Sequence, residues 1–238
     1  MKTLLLVFFS TVCITMLAQD IDKPYEFPVR PGMKEWEKLT SSKQKDEICS
    51  IPKHIVDKLS TEALFITCLK YPRLIDVFMG RNLQVGFDYY SKHFGGLEEL
   101  ISRSDLSTIL LQSYLDINLK NAQIKKYDLN LNKFHIAFIE IMIAQDNVIN
   151  QFNTNEKELL LAEAIMKLEQ RRSFGESFYR QKTTAFVISR LLSSVNKKLS
   201  EIDNYGNDIF EVFNSHVILA DSTVIDKLLV KSKEIEIR

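Results

Sequence analysis

All five prolines of this 238-residue chain fall before residue 73, at Pro24, Pro28, Pro31, Pro52 and Pro72. Beyond them the chain carries only six glycines as breakers: Gly80, Gly86, Gly95, Gly96, Gly175 and Gly206. A proline inside a helix removes a backbone donor and clashes with the carbonyl one turn back, so the last two-thirds of the chain is open to long helices. Apolar residues there recur at 3.6-residue spacing, and no sustained alternation of the strand type appears. The pattern predicts an all-α fold of about ten helices. Short connections favour helices stacked as antiparallel hairpins in an α-superhelix, with a globular helical bundle as the alternative. No repeat of fixed period is visible.

Three regions are expected. Residues 1–19 read as a signal peptide, with Lys2 ahead of an apolar stretch from Leu4 to Leu17 and then Ala18 before a charged chain. That stretch is short of the ~20 residues a membrane span needs. Residues 20–32 carry three prolines and no periodicity, which predicts an extended arm. Residues 33–238 form the single all-α domain. Within it, helices are expected over about 33–49, 52–58, 62–70, 72–80, 83–94, 97–102, 105–117, 134–152, 156–172 and 178–202. One or two more follow Gly206, with a short strand as the alternative at His216–Leu219 or Glu234–Ile237. Phe134 to Phe152 is apolar on two faces and is expected to be the most buried helix.

Loss of the leader removes Lys2 from 31 basic residues and leaves 30 against 31 acidic ones, a net charge of −1. Such a chain has no global field with which to grip nucleic acid, and none is expected as a partner. The mature chain holds no transmembrane stretch, and the address is periplasmic or extracellular. Cys49 and Cys68 survive processing, and an oxidising compartment favours a disulfide between them; two buried free thiols are the alternative.

The segments Glu47-Ile48-Cys49-Ser50-Ile51-Pro52, Leu59-Ser60-Thr61-Glu62-Ala63-Leu64 and Thr67-Cys68-Leu69-Lys70-Tyr71-Pro72 are similar to those of one group of proteins. So are Leu83-Gln84-Val85-Gly86-Phe87 and Phe94-Gly95-Gly96-Leu97-Glu98-Glu99-Leu100. The group comprises exported helical proteins of Gram-negative bacteria with a cysteine pair in this setting, and the likeness spans about residues 28–114. It implies export and the disulfide. It implies no activity.

Signatures of metalloproteases, serine hydrolases, dinucleotide folds, phosphate loops and dithiol oxidoreductases are missing, so no cofactor or metal is expected. Asp88 and His93 lie on different sides of a helix, and His54 with Asp57 lacks a third group. Glu140 is the one weak catalytic candidate. It is the only charge between Ile136 and Ala144, and its plain reading is a salt bridge to a neighbouring helix. The seven-residue repeats Phe178–Ala185–Leu192–Leu199 and Ile188–Val195–Ile202 predict an inward seam. Opposite them, Arg180, Arg190, Lys197 and Lys198 are the candidate binding residues. Across Arg171–Lys198 seven basic residues meet only Glu176, a local charge of +6. Such a run is either a solvated face or a contact for an acidic protein, polysaccharide or lipid head group. Asp221-Ser222-Thr223 reads as a helix cap and also resembles an O-glycosylation acceptor. The sum is an exported interaction module without enzymatic chemistry. An envelope-polymer enzyme using Glu140 and a self-assembling structural component are the alternatives, and the oligomeric state is left open.

Overall fold

The computed structural model describes residues 21–127, 129–176, 178–195 and 223–236. The expected leader, the helix tail beyond Val195, His216–Leu219 and Asp221-Ser222 lie outside the described residues, as do the side chains of Phe178, Tyr179 and Arg180. Among the described residues the fold is helical, with one two-stranded hairpin. No helix among the described residues is long and apolar enough to cross a membrane.

The proline-rich arm lies along the first core helices. The amide of Tyr25 donates to Thr67 Oγ1 at 2.8 Å, and the amide of Ser60 donates to the Ile21 carbonyl at 2.8 Å. Phe27 is buried, edge-on to Tyr71 at 5.7 Å, and Tyr71 stacks obliquely on Phe94 at 4.2 Å.

Helices α1 (Lys34–Glu37) and α2 (Ser42–Ile48) replace the single helix expected over 33–49. The break comes from Ser41, which caps α2 and exchanges hydrogen bonds with Gln44 in a capping box. Next come α3 (Lys53–Val56) and α4 (Thr61–Leu69), the latter capped by the Ser60 side chain, which accepts from the Ala63 amide. Leu74–Met79 is a 3-10 helix rather than an α-helix. It packs against α5 (Leu83–His93) with the backbones in contact: a Cβ on Gly86 would stand 1.9 Å from the Val77 carbonyl oxygen. Helix α6 (Gly95–Ser102) and α7 (Leu106–Asp116) complete this half. The strands Gln123–Ile124 and Leu129–Asn130 then form a small antiparallel hairpin that apolar periodicity does not announce.

The helix expected over 134–152 is also two helices, α8 (Lys133–Ile143) and α9 (Asp146–Ile149). Gln145 turns the chain there. Its backbone is extended, and its side-chain amide donates to the Ile141 carbonyl at 2.8 Å, meeting an acceptor that a continued helix would have used. Helix α10 (Thr154–Ser173) opens with the Asn153–Glu156 capping box. It closes at Gly175, whose φ of +64° lets the Gly175 and Glu176 amides reach the Arg172 and Arg171 carbonyls. Helix α11 (Phe178–Val195) runs back along α10, and α12 (Thr223–Glu236) follows, so Glu234 to Glu236 are helical rather than strand.

Helix α11 touches α8, α9, α10 and α12. Ala185, Phe186, Val187, Ile188, Leu191 and Leu192 are all buried, so apolar side chains surround it rather than face one way. The fold is all-α, and the partners of this helix are the described elements nearest to it in chain order, as stacked hairpins and a bundle both allow. Ala185, Ile188 and Leu192 of the expected seam are buried, whereas Val195 is 36% exposed. One continuous apolar core runs from Phe27 to Leu229.

Candidate functional sites

Glu140 sits in the middle of α8 with no exposure to solvent. A carboxylate there needs donors, since an unpaired buried charge costs several kcal/mol. Four side chains supply them. Arg171 reaches its two oxygens at 3.2 and 3.4 Å, Thr184 donates at 2.8 Å, Tyr114 donates at 3.3 Å, and Thr183 donates to Oε2. The donors come from α7, α10 and α11, so one carboxylate pins three helices to a fourth.

The network continues along α10. Arg171 also pairs with Glu176 at 3.1 Å, and the glycine-terminated end of α10 is what folds Glu176 back to it. One turn earlier, Lys167 is buried, donates to the Ile117 carbonyl at 3.0 Å, pairs with Glu163 and lies over the Tyr114 ring at 4.9 Å. Burial by itself lowers the affinity of Arg171 for its proton, but the charges of Glu140 and Glu176 outweigh it and leave the guanidinium raised. Burial and then the Glu140 charge hold the Tyr114 phenol well above its ordinary value. Lys167 and Arg171 were legible in principle. They continue the buried spacing Leu160–Ala164–Lys167–Arg171 on α10, where an apolar count passes over them.

Part of the basic run meets acids through tertiary contacts. Arg190 pairs with Asp146 at 2.8 Å and lies over the Phe186 ring at 5.1 Å. Arg172 pairs with Asp226 at 2.8 Å. With Arg171 bound to Glu140 and Glu176, three of the seven basic residues meet acids supplied mostly by distant segments. The side chain of Arg180 and residues Lys197 and Lys198 lie outside what is described.

Cys49 and Cys68 are not joined: the expected disulfide is absent from the structure, and both are buried free cysteines. Cys49 closes α2 and Cys68 stands in the last turn of α4, each packed as a small apolar side chain. Burial pushes the Cys49 thiol up to about 11 and raises Cys68 as well.

The remaining pairs are separate. Asp88 accepts from Gln84 at 2.8 Å, while His93 stacks on Tyr89 at 4.0 Å between ring centres. Asp57 pairs with Lys53 at 3.3 Å rather than with His54. Among the described residues, no group of three or more His, Cys, Asp or Glu side chains is placed to hold a metal. Searches of protein-family profiles, curated proteins and solved structures returned no match to this chain.

Proposed function

We propose that the chain is an exported helical interaction module that works by binding a partner rather than by chemistry. The observation that carries this reading is the state of Glu140. Its oxygens are taken up by Arg171, Thr183, Thr184 and Tyr114, inside a core that gives substrate no access. A general acid or base has to reach the proton it moves. Export is supported by the order of charge, apolar stretch and small residue in the first nineteen positions, and by the likeness of residues 28–114 to exported helical proteins.

Of the partners a basic helix suggested, a protein is favoured over an anionic polysaccharide or lipid head group. Arg171, Arg172 and Arg190 are already paired within the fold, which reduces the local field such polymers would need. Affinity capture of the tagged protein from its own cell envelope, with a salt wash before identification, tests the proposal. A stoichiometric protein partner is expected, and its capture should survive charge reversal at Lys197 and Lys198. Turnover of an envelope polymer that Glu140→Gln abolishes in a folded protein would replace this reading with an enzyme.

A further inference from the structure

A cleft of about 450 Å³ opens between α3 and α6, within the size range of small-ligand sites. Its floor is apolar, made by Ile51 and Val56 at 8% and 4% exposure. Gly95 opens one side, since a Cβ there would meet nothing within 4 Å. The rim carries the carboxylates of Asp57, Glu98 and Glu99 against the single ammonium of Lys53.

These charges are unequally engaged. Lys53 is 86% exposed and, among the described residues, pairs with Asp57, while Glu99 is held by Arg103 at 3.0 Å. The Glu98 carboxylate has no side-chain partner among the described residues, and its place in the first turn of α6 offsets the positive helix end there. Arg103 also fixes the walls. It donates to the Val56 carbonyl at 3.0 Å and to the Leu59 carbonyl at 2.6 Å while holding Glu99, so the end of α3 and the side of α6 are tied together before any ligand arrives.

We propose that this cleft binds an organic cation, a guanidinium or ammonium on an apolar stem, of the kind an arginine or lysine side chain presents. The stem lies on Ile51 and Val56, and the head meets Glu98 beside Asp57. This deepens the interaction-module reading by naming the chemistry the partner offers.

The test follows amide shifts of the ¹⁵N-labelled protein with n-butylguanidinium, its neutral isostere n-butylurea, and the peptide acetyl-Ala-Arg-Ala-amide. Saturable shifts at Gly95, Glu98 and Ser102 are expected for the two cations and not for the urea. Glu98→Gln should weaken binding by about two- to fivefold, the range of a partly exposed charge pair. Gly95→Leu, which fills the open side without touching the core, should abolish binding while leaving the helical spectrum unchanged. Tighter binding of the peptide than of n-butylguanidinium points to a partner's side chain as the source, and equal binding to a free amine or guanidine. Equal shifts with n-butylurea, shifts scattered over every surface carboxylate, or normal binding by Gly95→Leu would overturn the site. Capture of a partner that Gly95→Leu leaves intact would discard the cleft and keep the module. Saturable cation binding by a wild-type protein that captures no partner would do the reverse.

Discussion

Arg171 and Glu140, 31 residues apart in the chain, meet at 3.2 Å with side-chain exposures of 4% and 0%. Removing one partner strands the other, so Arg171→Leu should destabilise by about 3–5 kcal/mol in urea unfolding. Glu140→Leu together with Arg171→Leu should cost less than the sum of the two single changes. Additive losses would show that the pair is not coupled.

Gly86 leaves no room for a side chain against the Val77 carbonyl, whereas Gly95 faces open space. Gly86→Ala should therefore lose several kcal/mol or fail to fold, because the obstacle is backbone and cannot swing aside. Gly95→Ala should be neutral or stabilise by up to about 1 kcal/mol. Melting temperatures of the two variants check the contrast.

Alkaline pH should unfold the protein through its buried phenols. Burial raises Tyr71, Tyr90 and Tyr114 above the ordinary value of 10.0, with Cys68 next in effect on Tyr90 and Glu140 on Tyr114. A folded-state value above the unfolded one means that stability is complete below about pH 10 and falls as pH rises further. Absorbance near 295 nm should show these three tyrosines ionising only as the helical signal is lost. Ionisation of all eight tyrosines in the folded protein would contradict their burial.

With Cys49 and Cys68 buried as free thiols, a thiol reagent at pH 8 should react slowly with the native protein and rapidly with both after denaturation. Failure to find either thiol in the unfolded, unreduced protein would mean that the two are bridged.

What the sequence made legible was the local chemistry. The two-faced burial of Ile136 to Ile143 and the inward set Ala185–Ile188–Leu192 follow from spacing alone. The breaks at Ser41 and Gln145 were also written locally, but as side-chain hydrogen bonds within otherwise helical stretches, which periodicity does not register. The packing of α8 against α11 could not be read that way, because its contacts join residues far apart in sequence. The same limit applies to charge. Arg190 belongs to a basic run until Asp146 approaches from 44 residues away, and Glu140 looks solitary until Arg171 arrives.

The docking of Ile21 and Tyr25 on Ser60 and Thr67 decides where a fusion to this protein belongs. Anything attached ahead of Ile21 would emerge beside the start of α4, one short segment from α3, and would crowd whatever approaches that side. An affinity handle placed there would stand beside the walls of the α3–α6 cleft.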